Sequence, residues 1–259
     1  MIKCDFSTVG DVSVGARIVL GDKFSLPVGT ACAALAGDSG SLRAGYELVA
    51  GDLTLLRIVS GFWSDSVPGG RMLLAEVCGR LPVGPVELSV KRNGYSLAYI
   101  TLSDKGAAGK RKDEAGPLIG EMIKNALPIS IIQGYLIPDE ECSLKALLLH
   151  LAHVGGFDLV LTTGGTGVGP RDVSPEATMA VIEKRLPGFE RAITATGLAK
   201  TPHAMISRAV AGTIGQSLVI NFPGSPKAVR ESLEAVIPAL RHTIDKLQGD
   251  STDCAVINS

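Results

Sequence analysis

Two aspartates, Asp139 and Asp172, and the glycine-rich stretch that runs into the second of them are the residues of this chain best equipped for chemistry. Leu159 to Thr178 reads LVLTTGGTGVGPRDVSPEAT. An apolar run leads to the hydroxyls Thr162, Thr163 and Thr166 and the glycines Gly164, Gly165, Gly167 and Gly169, then to Arg171 and Asp172 before Ser174-Pro175-Glu176. That order is strand, glycine loop, helix start. Glycine turns the backbone through positive φ and lets a ligand approach its N–H groups, and the helix N-terminus that follows favours an anion. The loop is therefore expected to hold phosphate. The hydroxyls, arginine and carboxylate beside it are equipment for a phosphorylated ligand with a divalent cation. The alternative is a tight strand-to-helix turn with no ligand.

Two better-known phosphate loops do not fit. A Walker loop needs Lys-Ser or Lys-Thr after its last glycine, and here Gly169 is followed by Pro170-Arg171. A dinucleotide fingerprint needs a third glycine where Pro170 stands.

The elements that must position these residues are readable from about Ser96 onward. Strands are expected at 96–102, 129–137, 157–161 and 216–221, alternating with helices to about Ala126, from Asp139 to about Val154, from Pro175 to about Arg185, over 189–199 and over 228–247, the last in spite of Pro238. Ile206 to Ile214 is ambiguous. Alternation of this kind predicts an α/β fold, a mostly parallel sheet with helices on both faces, and such sheets bind ligands at the carboxyl ends of their strands. Every unusual polar cluster falls at such an end: Ser103-Asp104, Pro138-Asp139-Glu140, Thr162 to Asp172, and Asn221 to Lys227. Asp139 and Asp172 would converge on one edge, where a pair of acids beside a phosphate cradle positions Mg2+. Asp139 has a second possible role as a helix cap, and Asp172 one as a partner of Arg171. Gly224 and Ser225 offer a further anion site at the start of the last helix. The basic loop Lys105 to Lys112 either closes over an anionic ligand or is a solvated charge run. His150 and His153 lack an evident third ligand, so no metal site is expected there.

Residues 1–92 differ in texture. Short apolar runs at 17–20, 53–59, 71–77 and 86–90 alternate with turn signals and predict a small β-rich domain, with a short helix possible over Thr30 to Ala36. Trp63, the single tryptophan, reads as core. The domain boundary is placed near Lys91 to Gly94, giving 1–92, 93–249 and a flexible tail over 250–259. The 25 Lys and Arg against 26 Asp and Glu offer no global attraction to nucleic acid or an acidic membrane, so small partners are expected. Five scattered cysteines without CxxC spacing and a start without a signal-peptide pattern point to a soluble protein of a reducing, cytoplasmic compartment.

These motifs, Thr162-Thr163-Gly164-Gly165-Thr166-Gly167 with Pro170 to Thr178, preceded by Ile137-Pro138-Asp139-Glu140 and followed by Pro187-Gly188-Phe189 and Pro223-Gly224-Ser225-Pro226-Lys227, resemble the Mog/MoaB molybdopterin adenylyltransferases, whose fold also forms the G domain of gephyrin and its plant counterpart. The resemblance covers roughly Ser96 to Gly249 and leaves residues 1–92 unmatched. It implies binding of Mg·ATP and molybdopterin, transfer of AMP to the terminal phosphate of the pterin with release of pyrophosphate, and use of the product for molybdate or tungstate insertion by another enzyme of the pathway. It assigns Asp139 and Asp172 to the acidic pair that works through Mg2+. Thr163, Gly164, Gly165, Thr166, Gly167 and Arg171 fall to the ligand loop, Pro223, Gly224 and Ser225 to the pterin side, and Ser103-Asp104 to the start of the pattern. A homotrimer is implied as well. The runner-up is a molybdopterin-binding or scaffolding module without the chemistry.

Overall fold

Backbone pairing rather than helix packing organises the first third of the chain. The computed structural model describes residues 1–7, 9–21, 31–36, 39–63 and 70–250. The expectation of a flexible tail, apart from Asp250, lies outside them, as do Thr30 and Pro68-Gly69. Two compact units emerge, one of Met1–Ala98 with Pro128–Gln133 and Leu147–Phe157, the other of Tyr99–Leu127, Gly134–Ala146 and residues from Asp158 onward.

In the first unit, strands β1 (Ile2–Asp5), β2 (Arg17–Gly21), β3 (Cys32–Ala36), β4 (Tyr46–Ala50), β5 (Leu53–Trp63), β6 (Arg71–Val77) and β7 (Pro85–Arg92) close into a barrel in the order β1-β3-β2-β6-β5-β4-β7. Closure leaves no unpaired edge, and alternation along each strand sends one set of side chains inside. Ile18, Leu20, Leu48, Leu56, Ile58, Leu73 and Leu88 fill that interior and are fully buried. Each contributes on the order of 1.5–3 kcal/mol by leaving water. A buried acid of this unit, Glu47, accepts from Arg57 (3.1 Å), Thr54 (3.2 Å) and Asn93 (2.6 Å), so its charge is compensated where it sits.

Two expectations fail here. The stretch taken as a possible helix up to Ala36 is β3, which pairs parallel with β2 and antiparallel with β1. Its alanines favour helix locally, but ladder bonds on both sides outweigh a propensity worth tenths of a kcal/mol. Trp63 is not core: it ends β5 opposite Arg71 and is 58% exposed, because the aliphatic residues have already filled the barrel.

A second sheet runs in the order β11-β12-β13-β10-β8-β9, with β8 (Tyr95–Leu102), β9 (Ile129–Ile137), β10 (Leu159–Thr163), β11 (Lys184–Arg185), β12 (Ala211–Ile214) and β13 (Ser217–Phe222). The helices are α1 (Asp104–Ala107), α2 (Ala115–Ala126), α3 (Glu141–Leu149), α4 (Ser174–Met179), α5 (Pro187–Leu198) and α6 (Pro226–Leu247). A π-helical turn (His150–Gly155) follows α3, and a 3-10 turn (Pro202–Ile206) follows α5. The mostly parallel sheet is thereby corrected to a mixed one. β10 and β13 are parallel, but β12 pairs antiparallel with both β13 and β11. The cause is a hairpin: Ile214 faces Ser217 across Gly215-Gln216, and Gly215 takes the positive φ (+54°) that the turn requires. The expected helix to Arg185 accordingly stops at Met179, and Lys184-Arg185 is given over to pairing.

The buried stripe of α6, Val229, Leu233, Val236, Leu240 and Ile244, recurs at three- and four-residue spacing and carries the helix through Pro238. No helix among the described residues is long and apolar enough to cross a membrane.

Candidate active site

Parallel pairing decides where the loops meet. Thr162 lies opposite Asn221 and Thr163 opposite Phe222, so β10 and β13 end together. The Thr163 hydroxyl donates to the carbonyl of Pro223 (2.6 Å), and the Gly164 N–H reaches the carbonyl of Phe222 (3.3 Å). Gly164 has φ +93°, and the Leu102 carbonyl at the end of β8 occupies the space a Cβ would need; Gly224 would place its Cβ 3.3 Å from the Gly164 Cα. Three strand ends therefore touch at one glycine. Underneath, the buried Asn221 amide donates to Thr162 (2.8 Å) and Thr178 (2.9 Å), while Ser174 ties α4 to the loop through the Gly164 carbonyl (2.7 Å). Thr166 is buried beside it.

The two acids stand against this loop. A Cβ on Gly167 would lie 2.7 Å from Asp172 Oδ2, and one on Gly165 would lie 3.5 Å from Asp139 Oδ1. Asp172 Oδ2 accepts the Gly169 N–H (2.8 Å). Asp139 does not cap α3: its Oδ2 accepts the Asp104 N–H (2.9 Å), and the Asp139 N–H in turn donates to Asp104 Oδ1 (3.1 Å). Nor does Arg171 pair with its neighbour Asp172; it forks onto Asp104 (3.1 and 2.7 Å). Among the described residues no hydrogen-bond donor reaches Oδ1 of Asp139 or of Asp172.

The charges follow from these contacts. Burial pushes the Asp139 carboxyl above the ordinary 3.8, with smaller contributions from other charges, Asp172 among them. The Arg171 guanidinium holds Asp104 below its ordinary value, and Asp104 in turn holds Arg171 above its own. Among the described residues no three His, Cys, Asp or Glu side chains converge on a metal. Two acids with an uncommitted oxygen each still suit Mg2+, which is bound by one or two carboxylates together with phosphate oxygens and water.

Next to Gly164 lies a cavity of about 280 Å3, walled by Ser103, Thr163, Gly164, Gly224 and Ser225 and on another side by Arg111, Lys112 and Asp113. Asp139 and Asp172 are not among its walls; they meet the following residues of the loop. The hydroxyl of Ser225 accepts the Ala228 N–H (3.2 Å) and so caps α6, whose positive end faces the cavity. Ser103 likewise caps α1 by accepting the Gly106 N–H (3.0 Å). Basic side chains, a helix N-terminus and loop amides make a receptor for a phosphorylated molecule.

Two contributors escape a reading of sequence. Asp113 accepts from the Thr101 hydroxyl (2.7 Å) and the Gly116 N–H (3.1 Å), fixing the cavity wall; its place just before a helix was the available signal. Arg208 donates to the carbonyls of Gly167 (2.7 Å) and Asp172 (2.9 Å) and pairs with Glu176, and its partners are mostly backbone, which leaves no pattern to find.

A family model described as "Probable molybdopterin binding domain" matches residues 98–242. A molybdopterin adenylyltransferase of Helicobacter pylori is 38% identical over 155 residues, which are 60% of this chain and 88% of that protein. Gephyrin of Dictyostelium discoideum is 40% identical over 167 residues, and the chain spans 23% of its length. Among solved structures, the molybdopterin biosynthesis enzyme MoaB of Thermus thermophilus superposes with a TM-score of 0.57 at 42% identity, covering 60% of this chain and 97% of that one.

Proposed function

This chain belongs to the family of probable molybdopterin binding domains, and from that premise we propose that it is a molybdopterin adenylyltransferase, moving AMP from ATP onto the terminal phosphate of molybdopterin. In that reaction an oxygen of the pterin phosphate attacks the α-phosphorus of ATP, the bond from that phosphorus to the bridging oxygen breaks, and pyrophosphate leaves. The observation that carries the reading is the meeting of two acids and three strand ends on one glycine loop.

The chain's own groups divide the work. The amide of Gly165 and the α6 N-terminus receive phosphate, Gly164 gives the loop its close approach, and Ser103, Thr166, Pro223, Gly224 and Ser225 shape the pterin side. Arg111 and Lys112 in the basic loop bring positive charge to the cavity wall. Arg171, parked on Asp104, can turn to a phosphate. Asp139 and Asp172 would hold Mg2+, which neutralises charge on the phosphates as the nucleotide reacts. A soluble cytoplasmic homotrimer that hands its product to a metal-insertion enzyme completes the proposal on the strength of the family resemblance, and residues 1–92, which that resemblance leaves unmatched, are proposed as a separate β domain from their strand pattern. The test is product formation: purified chain with molybdopterin, ATP and Mg2+ should yield adenylated molybdopterin by mass spectrometry. No product where a known adenylyltransferase gives one would end this reading.

A further inference from the structure

The Gly167 to Asp172 segment poses a mechanical problem. It contains two glycines and a proline, and Val168 at its tip is 67% exposed. Within the segment, the carboxylate of Asp172 takes the Gly169 N–H and the Asp172 N–H returns to the Gly169 carbonyl (3.0 Å). Those bonds curl the segment on itself but anchor it to nothing. The Arg171 side chain reaches out of the segment to Asp104, but through an exposed pair on a long, rotatable stem. That leaves the glycine-rich backbone many conformations, and a carboxylate riding on it would wander by more than the tolerance of a phosphoryl-transfer site.

Arg208 supplies the anchor, from a different part of the chain between the 3-10 turn and β12. Its Nε donates to the Gly167 carbonyl (2.7 Å) and its Nη2 to the Asp172 carbonyl (2.9 Å), so one planar group grips both ends of the segment. Its Nη1 pairs with Glu176 in the first turn of α4, and its own N–H donates to the Thr166 carbonyl (3.0 Å). Only a guanidinium has donors fixed in a fork that can serve three acceptors at once; a lysine offers one point charge on a flexible stem.

We propose that Arg208 is a positioning residue for the transfer reaction, holding the Gly167 to Asp172 segment so that the Asp172 carboxylate faces the metal-bound nucleotide. It acts through the backbone: its hydrogen bonds to the segment go to carbonyls, not to the Asp172 carboxylate, and it is not among the walls of the cavity. The inference rests on the adenylyltransferase reading for its reaction, but not for its mechanical part.

The experiment compares the full chain with Arg208→Ala and Arg208→Lys in three readouts: turnover against KM for the pterin, amide hydrogen exchange of the segment, and thermal midpoint. Arg208→Ala is expected to lose about a hundredfold in kcat with KM for the pterin changed by less than about threefold. Exchange should quicken over residues 166–172, and millimolar guanidinium ion should restore part of the lost rate. Arg208→Lys should recover little, since charge alone does not make the fork. Turnover within about threefold of the parent, or unchanged exchange in the segment, would overturn the proposal. Should Arg208→Ala not fold, the lysine variant decides by the same two readouts. If the parent makes no adenylated pterin, the reaction reading fails, while hydrogen exchange still decides whether Arg208 holds the segment.

Discussion

The barrel and the glycine-loop edge use different means to hold residues still. In the barrel, strands pair on both sides and the interior is aliphatic, so position is set by packing and by a closed ladder. At the loop edge the backbone bends through glycines with positive φ, and position is set by discrete hydrogen bonds: Asn221 to two threonines, Asp104 to Asp139, Arg208 to two carbonyls. Packing tolerates no open donors but excludes ligand. A polar edge keeps amides and carboxylates available, at the cost of many bonds that must each be made. Substitutions in the two regions should therefore fail differently, one in stability and the other in rate.

The largest effect is expected in the barrel. Leu56→Ala empties a fully buried position and should cost about 2–5 kcal/mol in urea unfolding, an effect that belongs to stability. Comparable in size but opposite in kind, Asp172→Asn should lower turnover by about a hundredfold to a thousandfold while pterin affinity and the unfolding midpoint stay near those of the parent. A loss of stability instead would erase the distinction between the regions. Ser225→Ala removes a cap and should cost about 0.5–2 kcal/mol, together with weaker phosphate binding at the α6 N-terminus, visible by calorimetry.

The smallest effects concern pH. The Asp139 carboxyl is raised by burial in the metal-free chain, so its ionised form is lost earlier as pH falls, and Mg2+ binding measured by calorimetry should weaken at a higher pH than an ordinary carboxylate would give. For folding the sign is opposite in the two acids. The folded chain holds a proton on Asp139 more tightly than the unfolded chain, so that stabilisation is present at low pH and fades as pH rises through its raised value. Asp104, held low by Arg171, stabilises above 3.8 and loses this as pH falls. Chemical denaturation of Asp139→Asn and Asp104→Asn across pH 3–7, about the carboxylate range, checks both directions.

Legibility in the sequence followed the same divide. β6 and β9 carry the bounds expected, because apolar runs there are framed by proline and glycine. The four polar strand ends were visible for the same reason, and with them each of the acids. What remained hidden depends on partners distant in sequence. β3 is strand only because two neighbours pair with it, and β11 exists only because the β12–β13 hairpin lies beside it. The reciprocal bonds of Asp104 and Asp139 span 35 residues, and the Arg208 fork is made to carbonyls, which every residue possesses.

The central claim is that Asp139 and Asp172 serve one metal-bound nucleotide at one loop. A double-mutant cycle on adenylyl transfer measures it directly, using Asp139→Asn, Asp172→Asn and the pair. Joint action predicts that the double variant loses little more than the worse single one. Losses that multiply would show two acids working independently and would contradict the account.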